Sequence, residues 1–265
     1  MKKFLVIDVH AHLGRSLSLV ESETGRPMQT TAEDLIRLLD RNEIDKSVIS
    51  PIPGYARPNG ISDTMEQNNL VAHAIRKYPD RFPCGFGVVE PYHADRSLQE
   101  VERLAKDLKL KGLMFHTRYQ GVDLDHPIIF KIFEKAWDVG MKFALVHTDG
   151  LLEEPWRLAK LAERFPGITF ISGHPGIDIA DLAHNIYICK KHDNILLDTC
   201  IWHVHNLPFR NAVQAIGAER ILFGDDAPYY ETSFDLLHAK LAEISDEDKE
   251  LILGKNAARL FGIET

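Results

Sequence analysis

At 265 residues, 45% of them hydrophobic, the chain has enough apolar mass for a sizeable core and lies near the size of one α/β barrel. A formal net charge of -8 argues against a nucleic-acid surface or an anionic-membrane anchor, because both need clustered Lys and Arg. A small molecule is the expected partner, with no nucleic acid and no membrane. Cys84, Cys189 and Cys200 stand far apart without a Cys-x-x-Cys pair, so neither a disulfide framework nor a thiolate zinc site is indicated, and a reducing cytoplasm fits.

The apolar run Phe4-Leu5-Val6-Ile7 predicts a first strand, Phe4–Asp8, that delivers Asp8-Val9-His10-Ala11-His12. Met1-Lys2-Lys3 before it imitates a signal peptide, but Asp8, His10 and His12 break the apolar region too early. No stretch approaches the roughly 20 apolar residues that span a bilayer. Alternate strand residues share a face, so His10 and His12 can present two imidazoles to one point, as a divalent metal requires. Two hydrogen-bonded histidines at a strand end would look the same.

Further strands are predicted at Lys46–Ser50, Phe82–Val88, Gly112–Phe115, Lys142–Val146, Thr169–Ser172, Ile195–Asp198 and Arg220–Phe223, with amphipathic helical patterns between them. Thr31 with Asp34, Pro79, Pro166-Gly167 and Pro208 punctuate those helices. The rhythm of eight strand–helix units predicts a distorted TIM (β/α)8 barrel formed as a single domain over 1–265, closed by C-terminal helices at about 245–263. An open doubly wound sheet is the alternative, but no Gly-x-Gly-x-x-Gly follows the first strand. Long polar segments after His12 and after Pro51 are placed to shape a site.

His116, His147, His174 and Asp226 each follow a predicted strand, and in a barrel those ends meet at one rim, where active sites are assembled. Singly, each could hydrogen-bond a loop or cap a turn, and Asp225 beside Asp226 leaves the choice of ligand open. With His10 and His12 they supply imidazoles and a carboxylate, a set typical of zinc, with iron, manganese or cobalt as other choices.

In the order and spacing of these motifs the chain resembles the amidohydrolase superfamily, in particular the amidohydrolase-related branch that includes aminocarboxymuconate semialdehyde decarboxylase. The resemblance covers nearly the whole chain. It rests on Asp8-x-His10-x-His12, Lys111-Gly112 through His116, His147, His174-Pro175-Gly176, Phe223-Gly224-Asp225-Asp226-Ala227-Pro228 and the closing Asn256-Ala257-Ala258-Arg259-Leu260-Phe261. It implies one divalent metal held by His10, His12, His147 and Asp226, with Asp225 in a variable place. It also implies His174 and Asp226 as acid/base groups, His116 on the substrate side, and a homodimer as one assembly. Binuclear members carry a lysine on the fourth strand where this chain has Met114, so a mononuclear site is expected. Asp8 is expected to support the ligands or the strand end, while the role of Glu90 after the third strand stays open, a polar pocket residue being one reading.

A divalent ion lowers the pKa of bound water from 15.7 to about 7, which is hydrolytic equipment. The leading expectation is therefore hydrolysis of a small-molecule ester, lactone or amide. The alternatives are non-oxidative decarboxylation of an unsaturated or aromatic acid and a non-catalytic binding protein on the same barrel. A decarboxylase needs a cationic clamp, for which Arg15, Arg118 and His205 stand on loops after predicted strands, while Trp202 and Tyr119 are candidate pocket walls.

Overall fold

Short β-branched and aromatic runs pair as parallel strands here because the intervening amphipathic helices return the chain to the same end of the sheet each time. The structure, a computed structural model, describes residues 4–16, 29–53, 59–202 and 208–264. Six strands, β4 (Phe86–Gly87), β5 (Gly112–Phe115), β6 (Phe143–His147), β7 (Thr169–Gly173), β8 (Ile195–Asp198) and β9 (Ile221–Leu222), form one parallel sheet in chain order. Its register places Gly112 opposite Phe143, Phe143 opposite Thr169, Phe170 opposite Ile195 and Leu197 opposite Ile221. A second sheet has β1 (Ile7–Arg15) between antiparallel β2 (Gln29–Thr30) and parallel β3 (Lys46–Pro51).

The two sheets meet at two seams, each marked by a single bridge: Ile49 beside Gly85, and Ala11 beside Ala227. The ring is an interrupted barrel rather than a closed ladder. At the first seam a Cβ on Gly85 would come within 2.4 Å of the Ile49 carbonyl oxygen, so a side chain there would force the strands apart. At the second, the Val9 and His12 amides donate to the Phe223 and Ala227 carbonyls at 2.9 and 2.7 Å. The predicted strand Phe82–Val88 contracts to β4 because Gly85 is its one bridge to β3. Arg220 leaves the last strand for a 3-10 turn, where its guanidinium donates to the carbonyls of Cys189, His192 and Ile195.

The first strand departs most from expectation. It runs on to Arg15, so the histidines lie inside it rather than beyond its end. Asp8 pairs with Ser47 but Ala11 pairs with Ile49, so β1 spends one residue more than β3 and bulges between them. Ile7 and Val9 point into the barrel's apolar interior, while beyond the bulge Ala11 and Leu13 join the outer layer under the helices. His10 and His12 thereby take the inward face. With strict alternation from Val9 they would face the helices instead. Asp8 satisfies the bulge: its Oδ1 accepts the His10 amide at 2.8 Å and its Oδ2 accepts the Ser47 hydroxyl at 2.6 Å. Burial nevertheless pushes its carboxyl up to about 6 against those hydrogen bonds.

Alternate residues Val48, Phe86, Met114, Leu145, Ile171 and Leu222 complete the barrel interior. The tail continues from the helix Asp246–Glu250 through a π-helical turn, Leu251–Lys255, into the helix Asn256–Phe261, which brings Ala257, Ala258 and Phe261 against that interior. Thr31 caps its helix and forms a capping box with Asp34, and Ser245 caps the helix beginning at Asp246. Among the described residues no helix is long and apolar enough to cross a membrane.

Asn256 ties the tail to the sheet by donating to the Ala218 and Ile221 carbonyls, both at 2.8 Å and buried. Asn256→Ala removes both hydrogen bonds and is expected to cost about 1–3 kcal/mol, read as a lower urea midpoint at unchanged slope. Burial also pushes the Cys84 thiol up to about 12 and Cys189 to about 11, and holds Cys200 well above the ordinary value. The native protein should therefore resist an aromatic disulfide reagent at pH 8, whereas all 3 cysteines react once guanidinium unfolds it.

Candidate metal centre

His10 and His12 on β1, His147 at the end of β6 and Asp226 just past β9 bring one donor atom each to within 4.8 Å of all the others, and all four residues are buried. His12 Nε2 stands 2.8 Å and His10 Nε2 3.5 Å from Asp226 Oδ1, while His10 Nε2 and His147 Nε2 are 3.2 Å apart. Gly224 makes room: a Cβ there would come within 3.0 Å of the His10 Cβ.

Each imidazole is turned by its other nitrogen. His12 Nδ1 donates to the Pro51 carbonyl at 3.1 Å and His147 Nδ1 to the Phe115 carbonyl at 3.0 Å, and a carbonyl can only accept. His10 Nδ1 lies 2.6 Å from Asp198 Oδ2. Nδ1 therefore carries the hydrogen in all three rings, and three Nε2 lone pairs point at one another and at a carboxylate. His12 Nε2 is completely buried and faces Asp226 Oδ1 without a well-formed hydrogen bond. Such an array repels itself unless a cation sits between the donors, so the residues fit a divalent ion. Burial, then the nearby histidines, hold His147 well below the ordinary histidine pKa, and burial lowers His12 against the pull of Asp226. Neutral rings are the ligating form.

His174 lies beside this set with Nδ1 3.4 Å from Asp149 Oδ2 and Nε2 3.2 Å from Asp226 Oδ2. Burial works against its charge, but the two carboxylates outweigh that and hold it well above the ordinary value. Burial likewise opposes ionisation of Asp226, yet His174, His12 and His10 hold its carboxyl well below the usual range. His174 and Asp226 both have positive φ, 56° and 55°, a conformation that costs a non-glycine residue about 1 kcal/mol or more and that concentrates at functional sites.

The remaining expected residues separate. His116 joins the cluster: it is buried, its ring stacks on His147 with centroids 3.9 Å apart, and Tyr119 meets its edge at 4.4 Å. Arg118 is exposed at the rim, with its amide donating to Glu153 at 3.2 Å. Arg15 lies 3.4 Å from Glu66, both more than half exposed, so it is set on the outer surface. Trp202 is fully buried against Gly176 and edge-on to Phe209 at 5.1 Å, packing beneath the rim. His205 lies outside the described residues. Asp225 turns away to accept the Ala227 amide at 2.9 Å, and burial followed by the Asp8 charge holds its carboxyl well above the usual range. Glu90 lines a small space of about 10 Å³ beside His116, with Val88, Met114 and Tyr119. Asp198, Asp149, Glu153 and Tyr229, whose ring meets His12 edge-on at 5.6 Å, were not singled out from sequence. Asp198 ends a predicted strand and Asp149 stands two residues past His147, so the strand-end rule that found the histidines would have found both.

The sequence model of the Amidohydrolase family matches residues 7–263. A 2-amino-3-carboxymuconate-6-semialdehyde decarboxylase of Dictyostelium discoideum is 25% identical over 275 residues, spanning 86% of this chain and 76% of the relative. A 5-carboxyvanillate decarboxylase from Novosphingobium aromaticivorans, complexed with manganese and 4-hydroxy-3-methoxy-5-nitrobenzoic acid, superposes with a TM-score of 0.76 at 18% identity, covering 98% of this chain and 96% of that one. A 2,6-dihydroxybenzoate decarboxylase from Rhizobium gives 0.75 at 18% identity over 99% and 100%. These likenesses bear out the amidohydrolase barrel. They overturn hydrolysis as the leading expectation, since all three proteins are decarboxylases. The histidine and aspartate motifs could not separate the two reactions, because the same donors hold an ion for either.

The Asp198–His10 contact generates a direct test. Asp198→Asn should weaken binding of zinc or manganese by roughly 10- to 100-fold, measured by competition with a chromogenic chelator.

Proposed function

The chain belongs to the amidohydrolase family, and within it we propose that the protein is a metal-dependent, non-oxidative decarboxylase of a small aromatic or unsaturated carboxylic acid. The observation that carries this reading is His174, held between Asp149 and Asp226 at the edge of a donor set built for a cation. The decarboxylase relative, 25% identical across most of the chain, supports it. A divalent ion on His10, His12, His147 and Asp226 would supply a fixed positive charge to draw in substrate oxygens and stabilise negative charge developing on them. The donor types suit zinc, with manganese as another choice; the Novosphingobium structure holds manganese.

Non-oxidative decarboxylation breaks the bond between a carbon and its carboxylate, releases carbon dioxide and leaves a proton on that carbon. It consumes no water and needs no redox partner. The protein must therefore hold one proton near the reacting carbon and exclude competing donors. His174 Nε2, 3.2 Å from Asp226 Oδ2, is the proton store in this reading, and Asp226 the group through which the proton passes. His116 and Tyr119 bound the substrate side, and exposed Arg118 provides a cation at the mouth for an anionic substrate. The set of ligands and acid/base residues is intact, which is the feature a non-catalytic barrel would be expected to lack.

Two experiments test this. Metal-reconstituted protein incubated with hydroxybenzoates and unsaturated carboxylic acids should release carbon dioxide in step with acid consumed, and in heavy water one deuterium should appear on the vacated carbon. Cleavage of esters or lactones to acids without carbon dioxide release would sink the proposal. Separately, dialysis against a chelator should abolish turnover and added manganese or zinc should restore it, whereas Asp226→Asn and His174→Asn should each stay at least about 100-fold below wild type after reloading.

A further inference from the structure

We propose that Glu153 is a positioning residue that sets which nitrogen His116 turns to the substrate. The inference rests on reading the cluster as a substrate-facing site, but its geometry is independent of the reaction performed there.

Glu153 lies in the segment between β6 and the helix Pro155–Arg164, and it is completely buried. Its Oε1 is 2.9 Å and its Oε2 3.2 Å from His116 Nδ1. Oε2 also accepts the Arg118 amide at 3.2 Å, and the Thr117 hydroxyl, 3.3 Å away, is shared between Oε2 and the Leu152 carbonyl, so the carboxylate itself is held. Two ring contacts also hold His116: it lies nearly parallel to His147, with 9° between planes, and Tyr119 meets its edge. Oε2 already accepts the Arg118 amide and so acts as an acceptor toward Nδ1 too; Nδ1 then carries the hydrogen, and Nε2 is the nitrogen left for a substrate contact beside the small space that His116 lines with Val88, Glu90 and Met114.

The same device is already present a few ångströms away. Asp198 holds His10 by Nδ1 at 2.6 Å and turns Nε2 toward the cation donors. The two carboxylate–imidazole pairs thus do parallel work, one orienting a metal ligand and the other a substrate contact, and the His147 ring lies between His10 and His116, in contact with both. A purely structural Glu153 would only hold the turn at Thr117 and Arg118; the contact with His116 Nδ1 is what that role leaves unexplained.

The test pairs spectroscopy with kinetics. In zinc-loaded protein labelled with ¹⁵N-histidine, His116 is assigned by the signals lost in His116→Gln. The wild-type protein should show His116 protonated at Nδ1, and Glu153→Gln should bring in the Nε2–H tautomer while zinc content stays at the wild-type level. With a substrate in hand, Glu153→Gln, His116→Gln and the double variant should lose kcat/KM to a similar extent, about 10- to 100-fold and mainly through KM. A wild-type His116 with a bare Nδ1, losses that multiply in the double variant, or a Glu153→Gln protein with full kcat/KM would overturn the proposal. If Glu153→Gln does not fold, the wild-type tautomer alone decides. If no carboxylic acid is turned over but the tautomer is as stated, decarboxylation falls and the positioning role stands.

Discussion

Three imidazole lone pairs forced to face one another inside a buried barrel mouth are the constraint on which the rest of the site depends. The Pro51 and Phe115 carbonyls and the Asp198 carboxylate each take an Nδ1 hydrogen, so none of the rings can relieve the repulsion by changing tautomer. The array makes sense only around a cation, with Asp226 supplying the compensating negative charge. His174 is then drawn in by the opposite side of the same carboxylate, and His116 stacks on the outer face of His147. The ion's place, the proton's place and the substrate wall follow from one set of oriented rings.

That orientation is built by the weakest parts of the barrel. The two sheets join by single bridges, and the seam between Ala11 and Ala227 sets β1 beside the loop that carries Asp226. The bulge in β1 is the complementary device: it lets Ile7 and Val9 fill the apolar interior and still turns His10 and His12 inward above them. A regular strand could have done one or the other. Asp8 therefore acts on the His10 backbone, where it satisfies the amide that the bulge leaves unpaired.

Much of this was legible along the chain. Eight apolar runs separated by helical patterns predict the strands, and Ile195–Asp198 and Gly112–Phe115 match β8 and β5 residue for residue. The rule that polar residues at strand ends meet at one rim located His116, His147, His174 and Asp226. The supporting carboxylates escaped because an aspartate or glutamate near a strand end has many ordinary roles, and the choice among them depends on a partner 37 residues away for His116–Glu153 and 188 away for His10–Asp198. Arg15 and Arg118 looked alike in sequence, yet one pairs with Glu66 on the outer surface and the other stands at the rim. The choice between hydrolysis and decarboxylation was not in the donor motifs at all.

By itself the sequence determined the donor types, their order and where the strands lie along the chain, because side-chain chemistry and hydrophobic periodicity are local properties. The tertiary structure alone decided which face His10 and His12 occupy, since a bulge shifts the phase without leaving a mark in composition. It also decided which nitrogen each histidine presents. That choice belongs to whatever acceptor the folded chain places against Nδ1, and the acceptors come from neighbouring strands that meet only when the barrel has formed.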